Sequence, residues 1–140
     1  MVGGPISHNN LGLFDQITAF GGRIVLDATE SGERGLPRRF NNGRLLESPF
    51  DELAEAYFSA IPDAARRPDT ALYEWLGREM SARQVRGLIV HHYVWCDLWH
   101  AEAERLREWS GVPVLALTSG GEETPGRTRT AIEAFLEALR

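Results

Sequence analysis

Short apolar runs alternate along the chain with segments in which apolar residues recur at helical spacing. Each run is bounded by turn residues and carries β-branched side chains, a pattern typical of buried strands. The predicted strands are Arg23–Asp27, Leu88–His92 and Val112–Leu117. The predicted helices begin near Asn9, Ser48, Asp69, Asp97 and Arg127, where capping residues precede the apolar spacing.

The order of these elements predicts the fold class. A short first strand and a helix lead to the second strand, and a long loop and two helices then precede a strand–helix–strand–helix end. We therefore expect residues 1–140 to form a single α/β domain of three-layer Rossmann/flavodoxin-like type, with a parallel sheet of about four strands in the order 2-1-3-4. Only Met1 and Val2 precede the first glycines, so that strand is either very short or truncated, and we expect truncation.

Three of the predicted helices have a defined apolar face. The helix from Ser48 to about Ala60 is expected to present Leu53, Ala56, Tyr57 and Ala60. The helix after Asp69 presents Leu72, Trp75, Leu76 and Met80. The helix after Cys96, with Asp97 as its cap, presents Leu98, Ala101, Leu106 and Trp109. We expect these faces to cover the sheet.

The segment from Ala28 to Gly43 is predicted to be a long loop, because it is rich in glycine and proline and has no periodicity. The loop and its border carry four arginines, Arg34, Arg38, Arg39 and Arg44. Guanidinium groups bind phosphates well, so one interpretation is a site for an anionic ligand such as a nucleotide phosphate. The other interpretation is a solvated charged loop without a ligand.

Composition narrows the classes of partner. Fifteen basic residues, all of them arginine, stand against twenty acidic ones, and the net charge of −5 argues against nucleic acid as a partner. No apolar run reaches the ~18 residues that a membrane-spanning helix needs, and no signal peptide is present. One cysteine excludes an internal disulfide framework, so the expected location is the cytoplasm.

That cysteine, Cys96, follows directly on a predicted buried strand and precedes a helix. Ligands of parallel α/β sheets lie at such junctions, and a helix N-terminus favours a thiolate. Cys96 is therefore a metal ligand, a nucleophile assisted by a histidine, or a small buried apolar residue. A zinc site is disfavoured, because His91 and His92 point to opposite faces of a strand and no second ligand pair exists.

The segment VRGLIVHHYVWCDLWHAEAERLREWSGVPVLAL, followed by GRTRTAIEAFLEAL, resembles the C-terminal part of the 2-hydroxyacyl-CoA dehydratase and benzoyl-CoA reductase family, of the 2-hydroxyglutaryl-CoA dehydratase D-component type. The matching pieces are Gly87–Val90, Cys96-Asp97, Gly111–Leu117 and Thr128-Arg129 with Glu133–Glu137. The upstream GGPIS and GGRIVLD segments are similar to the start of the same domain. The resemblance thus covers nearly the whole chain.

The resemblance implies a [4Fe–4S] cluster held by three cysteines, with one iron open to the thioester carbonyl of an acyl-CoA substrate. Cys96 matches the C-terminal cluster ligand, and the other cysteines would come from an upstream domain or a second subunit. An ATP-dependent activator protein would supply electrons. His92, Tyr93 and Trp95 would lie near the cluster and tune its potential, while Arg129 would orient the final helix or the cluster loop.

Two functions follow from these observations. The chain is either one part of a radical 2-hydroxyacyl-CoA dehydratase or a related benzoyl-CoA reductase, or a non-catalytic α/β interaction module that keeps the fold without the cluster. The single cysteine favours the module, since cluster binding needs several thiolates. Four ordered matching segments favour the enzyme component. In either case we expect the isolated chain to be inactive.

Overall fold

A four-stranded, all-parallel sheet forms the centre of the computed structural model, which describes residues 1–59, 61–121 and 125–140. Its strands are β1 (Val2–Gly3), β2 (Ala28–Thr29), β3 (Leu88–Tyr93) and β4 (Val114–Ser119). They lie in the order β2-β1-β3-β4, so the predicted order and parallel pairing are confirmed. Strand β1 is two residues long.

Helices lie on both faces of the sheet. They are α1 (Gly12–Ala19), α2 (Asn42–Glu47), α3 (Pro49–Ala54), α4 (Thr70–Ala82), α5 (Asp97–Trp109) and α6 (Pro125–Ala138). Short 3₁₀ turns span His8–Asn10 and Glu33–Gly35, and a π-helical turn spans Glu55–Ser59. The α/β class with three layers is confirmed. Among the described residues, no helix is long and apolar enough to cross a membrane.

Two apolar clusters hold the layers together, one on each face of the sheet. The cluster under α4 and α5 includes Leu72, Leu76, Leu88, Val90 and Leu106. The cluster under α1 and α6 includes Leu13, Ile17, Ile89, Leu117 and Ile132. Successive residues of β3 enter opposite clusters, which explains why its sequence is apolar at consecutive positions.

The predicted second strand, Arg23–Asp27, is wrong by a few residues. The parallel ladder pairs Val2 with Ala28 and Gly3 with Thr29, so the strand follows the apolar run instead of coinciding with it. Leu26 is buried in the core, and its carbonyl accepts a hydrogen bond from the Met1 amine at 2.6 Å. The run is therefore apolar because Leu26 is buried, whereas the position of β1 determines which residues form the ladder.

The last strand also begins later than predicted. Strand β4 starts at Val114, two residues after the predicted start at Val112. Pro113 has no backbone N–H to donate to a ladder, but its carbonyl accepts from the Leu88 amide at 2.9 Å. The ladder therefore begins after the proline.

The predicted apolar face of the helix after Asp69 is closer to the structure. In α4, Leu72, Leu76 and Met80 are buried as expected.

The N-terminal helix begins later than the asparagines that were expected to cap it. Asn9 and Asn10 belong to a 3₁₀ turn, and α1 starts at Gly12. Leu13 and Ile17 are its buried residues. A second helix, α2, was not predicted and begins within the last two residues of the predicted loop Ala28–Gly43. Its cap is the Asn41 side chain, which accepts from the amides of Gly43 and Arg44 at 3.0 and 3.2 Å.

The predicted inner face of α3 is largely wrong. Glu52 and Ala56 are fully buried, whereas Leu53 and Tyr57 are 39% and 45% exposed. The helix continues as the π turn to Ser59, and Ala60 lies outside the described residues. A buried carboxylate takes the place of the expected apolar contact because Arg38 and the Asn41 amide both bond to it.

Helix α5 is also rotated relative to its prediction. Cys96 occupies the N-cap position, and Asp97 is the first helical residue instead of the cap. The buried side chains are Trp99, Glu102, Ala103 and Leu106, so Leu106 alone of the four predicted positions is confirmed, and Trp109 is 42% exposed. Glu102 is tolerated inside because the Tyr73 hydroxyl donates to it and Arg105 Nη1 donates at 2.9 Å.

Candidate functional site

The carboxyl ends of β1 and β3 form the candidate site. The chain passes from β1 to β2 on one side and from β3 to β4 on the other, so the strand order switches between these two neighbours. In open parallel sheets, ligands bind in the crevice at this switch point. The residues that follow are Gly3-Gly4 after β1 and the segment from Tyr93 to Cys96 after β3.

Gly3 permits the close approach of the two strands. Its φ is +140°, and a Cβ added there would lie 1.9 Å from the carbonyl oxygen of His91. The next amide, that of Gly4, donates to the same oxygen at 3.1 Å. Any larger residue at position 3 would separate β1 from β3, which makes this glycine a requirement of the site.

Cys96 lies at the N-terminus of α5, directly beyond the end of β3. Its thiol is free and partly buried, and the residue packs against the apolar cluster under α4 and α5. Its amide donates to the Tyr93 carbonyl at 2.9 Å, and its carbonyl accepts from the His100 amide at 3.0 Å. These bonds fix the backbone on both sides of the thiol.

His92 lies on the same face of the sheet as Cys96. It is 4% exposed, and its ring stacks on that of His100 with centroids 5.4 Å apart. Its Nδ1 is 3.2 Å from the Tyr93 carbonyl, and its Nε2 is 3.5 Å from the hydroxyl of Thr118. Two stacked imidazoles, one of them in the first turn of α5, therefore lie on the face of the sheet against which Cys96 packs.

The opposite face of β3 carries a polar pair that the sequence analysis did not identify. His91 is fully buried, and its Nε2 lies 2.9 Å from Ser119 Oγ at the end of β4. Its Nδ1 is buried without a hydrogen-bond partner among the described residues. Burial and, to a lesser extent, the nearby His92 lower the pKa of His91 to about 4, so the imidazole is neutral at pH 7. Strand alternation on β3 and β4 is the signal that could have paired the two side chains.

Tyr93 extends this second face toward the start of α1. Its ring meets the His91 ring edge to face at 5.5 Å, and its hydroxyl accepts a hydrogen bond from Asn10 Nδ2 at 3.3 Å. Tyr93 is thus on the other side of the sheet from His92, although its carbonyl bonds to that ring. The structure consequently divides these two predicted site residues between the two faces.

The aromatic neighbours of Cys96 differ strongly in exposure. Trp95 is 89% exposed, whereas Trp99 is 3% exposed and stacks beneath the Arg34 guanidinium, 5.0 Å from its ring centroid. Trp95 therefore shields nothing within this chain. Trp99 packs beside Gly4, and a Cβ added at Gly4 would lie 3.5 Å from the indole ring.

Arg129, the remaining predicted site residue, is not brought beside Cys96. Its guanidinium lies 5.4 Å from the ring centroid of Phe20, at the end of α1. Helices α1 and α6 cover the face of the sheet opposite to the one against which Cys96 packs. The observed contact joins these two helices, on the far side of the sheet from the thiol.

The arginines of the predicted loop are mostly engaged within the chain. Arg34 is 1% exposed and donates to the carbonyls of Ala28 and Gly3 at 3.0 and 2.9 Å. Arg38 and Arg44 pair with glutamates of α3 and the π turn, and Arg39 is exposed. These contacts hold the arginine-rich segment against the rest of the chain. Arg34 is therefore described neither by an anion-binding site nor by a solvated loop, the two interpretations drawn from the sequence.

A cavity of ≈ 430 Å³ opens at the other end of the sheet, where the strands begin. Its apolar wall includes Ile17, Phe20, Leu88, Phe135 and Leu139. The cavity is thus separate from the thiol and the two histidines.

The loop from Thr118 to Gly126, at the carboxyl end of β4, is described only to Gly121 and from Pro125. Its two glutamates therefore lie outside the described residues.

The donor set around Cys96 does not fit a complete metal centre formed by this chain. In the described parts of the chain, no group of three or more His, Cys, Asp or Glu side chains is placed to hold a metal ion. A [4Fe–4S] cluster is bound through several thiolates, and Cys96 is the only cysteine in the sequence. Any cluster at this edge requires cysteines from outside these 140 residues.

Comparison with known proteins gives one positive finding. Residues 1–139 match the family model described as 2-hydroxyglutaryl-CoA dehydratase, D-component. The comparison with curated proteins gave no match. The family match spans all four strands and all six helices, and it confirms the resemblance drawn from the sequence.

Proposed function

Because the chain belongs to the 2-hydroxyglutaryl-CoA dehydratase D-component family, we propose that it is one part of a dehydratase that acts on a 2-hydroxyacyl-CoA. In this proposal Cys96 provides one thiolate ligand of a [4Fe–4S] cluster. The other cysteines come from an upstream domain or a second subunit, and an ATP-dependent activator protein delivers the electrons. The proposed location is the cytoplasm, where thiolate ligands stay reduced.

The position of Cys96 is the observation that carries the proposal. The thiol stands at the N-terminus of α5, beyond the end of β3 and beside the switch point of the sheet. It is partly exposed, so a second protein body can approach it. A strand-end cysteine that is held by two backbone hydrogen bonds is suited to a rigid ligand position.

The neighbours of Cys96 have distinct proposed roles. His92 and His100 provide a polar, stacked pair on the thiol side, which would influence the potential of a bound cluster. Trp95 would be covered by the body that brings the other cysteines. Gly4, after β1, and Tyr93, at the end of β3, mark the proposed entry for the acyl-CoA thioester.

Anaerobic reconstitution tests the ligand assignment. The chain is co-expressed with the cysteine-bearing dehydratase subunit of its own organism, treated with iron and sulfide, and analysed for bound iron and by electron paramagnetic resonance. We expect a cluster with the parent chain and its loss with Cys96→Ser. The matched control is Ser110→Ala, a similarly small change at the other end of α5. Equal iron in Cys96→Ser and the parent would refute the assignment.

One observation favours a second candidate function, a non-catalytic interaction module of the same fold. The described residues gather no metal-binding group, and one thiolate cannot hold a cluster. In that case the chain would bind its partner without bound iron in either protein. Iron content of the purified complex therefore separates the two functions.

A further inference from the structure

The cavity of ≈ 430 Å³ at the start of the strands lies in line with β1. One of its walls is the segment 23–26, which leads to β2, and the other is the segment 85–89, which leads into β3. Strand β1 lies between β2 and β3, and Met1 also lines the cavity. The cavity therefore separates the two walls in the place that a strand aligned with β1 would take.

The wall formed by β3 presents backbone groups in the pattern of a parallel ladder. The Gly4 amide donates to the His91 carbonyl at 3.1 Å, and the ladder register gives the Ile89 carbonyl the same role toward Val2. By this alternation, the Ile89 amide and the Gly87 carbonyl also point toward the line of β1. Neither group makes a hydrogen bond within the described parts of the chain, although Ile89 is 6% exposed. Because a buried amide without a partner is costly, this wall favours a ligand that supplies a backbone carbonyl.

The opposite wall completes the same pattern. The Leu26 carbonyl accepts from the Met1 amine at 2.6 Å, and the Ala28 amide donates to the Met1 carbonyl at 2.7 Å. In an extended strand the amide of a residue points the same way as its carbonyl. The Leu26 amide has no hydrogen-bond partner among the residues that the structure describes. The apolar run before β2 thus has the sequence of a strand but lies outside the ladder, because no described strand lies beside it.

These backbone groups select a parallel strand. One residue of such a strand can donate to the Gly87 carbonyl and accept from the Ile89 amide, which is the bond pattern of a parallel pair. An antiparallel residue opposite Ile89 would also need the Ile89 carbonyl, which the register assigns to Val2.

The surroundings of the cavity are apolar on both faces of the sheet. Leu26 and Leu88 belong to the cluster under α4 and α5. The floor on the other face comes from the ends of α1 and α6, through Ile17, Phe20, Phe135 and Leu139. Two apolar faces fit the continuous apolar run of a buried strand.

The outer end of the cavity carries positive charge. Arg23 and Arg86 line the cavity and are exposed, and they precede the two walls, so they lie at the end farthest from β1. Neither has a carboxylate partner among the described residues. Arg83, by contrast, pairs with Glu33 and Glu79. A strand that leaves the cavity at this end would therefore gain from acidic residues.

We propose that this cavity binds an extended segment of a separate polypeptide, in which acidic residues precede a short apolar run. The segment pairs in parallel with β3 between Gly87 and Ile89 and places its acidic residues beside Arg23 and Arg86. The backbone groups on the two walls are the observation that carries the proposal, since a strand satisfies them and a hydrocarbon chain does not. The cavity and Cys96 lie at opposite ends of the sheet, so this inference is independent of the proposed cluster.

A fluorescein-labelled hexapeptide tests the proposal, with two aspartates followed by valine, isoleucine and two valines. Its binding to the full chain is measured by fluorescence anisotropy, and we expect saturation. The same peptide with N-methyl groups on its last two amides should bind at least about tenfold more weakly, because the donors to the walls are lost.

Charge reversal tests the outer end of the cavity. Arg23→Glu with Arg86→Glu should weaken binding of the hexapeptide roughly tenfold, as expected for two exposed ion pairs that become repulsive. The matched control is Arg39→Glu with Arg78→Glu, two exposed arginines outside the cavity, which should bind like the parent. Circular dichroism melts confirm that both variants fold.

Amide hydrogen exchange of the complex measures the register. The Ile89 and Leu26 amides should exchange at least about tenfold more slowly with the hexapeptide bound, whereas the Ser110 amide, which already donates to Leu106, should not change. Absence of binding, or equal binding of the N-methylated peptide, would overturn the proposal. Displacement of the hexapeptide by decanoate without any protection of Ile89 would instead indicate a site for a small amphipathic acid. Dimerisation of the chain through the cavity, seen by sedimentation velocity as loss of peptide binding at high concentration, would likewise refute it.

Discussion

The guanidinium of Arg34 lies 5.0 Å from the ring centroid of Trp99, and both side chains are buried. This stack joins the long segment after β2 to the helix that follows Cys96. It also places a permanent charge inside the domain, where it is tolerated because carbonyl oxygens and Asp63 surround it. The geometry of the candidate site therefore depends on a buried arginine that bonds to the Gly3 carbonyl and stacks on Trp99.

Replacing Arg34 tests this dependence. Arg34→Met should cost about 3 kcal/mol in the free energy of unfolding, since the carbonyls of Ala28 and Gly3 lose their donor and Asp63 loses its partner. Arg34→Lys should also destabilise, because an ammonium cannot serve separate acceptors with a planar fork. Urea unfolding measures both. Arg39→Met, at an exposed arginine of the same segment, is the control, and an equal effect there would contradict the assignment.

Gly3→Ala should prevent the correct pairing of β1 with β3. The new methyl group would lie 1.9 Å from the His91 carbonyl oxygen, at a φ of +140° that alanine rarely adopts. We expect a loss of more than about 3 kcal/mol in unfolding free energy, or failure to fold. Gly12→Ala is the matched control, because an added Cβ there meets nothing within 4 Å and α1 begins at that residue. Gly12→Ala should be neutral or stabilising, and the reverse order of the two variants would refute the argument.

His91 should make the stability of the domain fall in mild acid. The unfolded chain takes up a proton near the ordinary imidazole pKa of about 6.5, whereas the folded His91 does so only near a pKa of about 4. Between these values the unfolded state binds more protons, so the free energy of unfolding decreases as the pH falls, by about 3 kcal/mol over that window.

His91→Gln should remove this pH dependence, because glutamine does not titrate. Urea unfolding at several values between pH 4 and pH 7 measures the slope. His8→Gln, at an exposed histidine in the 3₁₀ turn, should leave the slope as in the parent. A parent-like slope in His91→Gln would show that another group carries the effect.

Tyr73→Phe should destabilise the contact between α4 and α5. The Tyr73 hydroxyl donates to Glu102, which is 1% exposed, and burial and this bond raise the pKa of the tyrosine, so it remains a donor at all ordinary pH. Loss of the donor leaves a buried carboxylate oxygen less satisfied, at a cost of about 1–3 kcal/mol. Thermal melts measure the loss. Tyr57→Phe, at a half-exposed tyrosine, should have no effect, and equal shifts in the two variants would refute the role of the bond.

Local patterns predicted an element well where its apolar residues follow one simple pattern, either a consecutive run or helical spacing. The consecutive apolar residues of β3 and the helical spacing of α4 led to nearly correct bounds, since burial on both faces or on one stripe leaves a signal in the sequence itself. Helix α3 was found, but its inner face was not. Its burial is decided by Arg38 and Asn41, which precede it along the chain and bond to Glu52 only in the folded state.

The features of the candidate site likewise divide into those that the sequence predicted and those that depend on the folded structure. Cys96 at a strand end could be read from the sequence, as could the opposite directions of His91 and His92. Strand alternation offered a signal for the shared face of His91 and Ser119, but their contact depends on the register of β3 and β4, which joins residues 28 positions apart. Arg129 was expected from a resemblance to orient the final helix or the cluster loop, and only the packing of α6 on α1 places it against Phe20.

The sequence alone thus determined the α/β class and the position of the only thiol at the end of a buried strand, because both rest on residue types and local periodicity. The strand order followed from the order of the elements, and the family from the resemblance of several segments. The tertiary structure decided which residues pair across the sheet, that Arg34 is buried against Trp99, and that Phe50 of α3 and Phe58 of the π turn face outward. These features depend on contacts between segments distant along the chain, and such contacts exist only once the sheet has set their geometry.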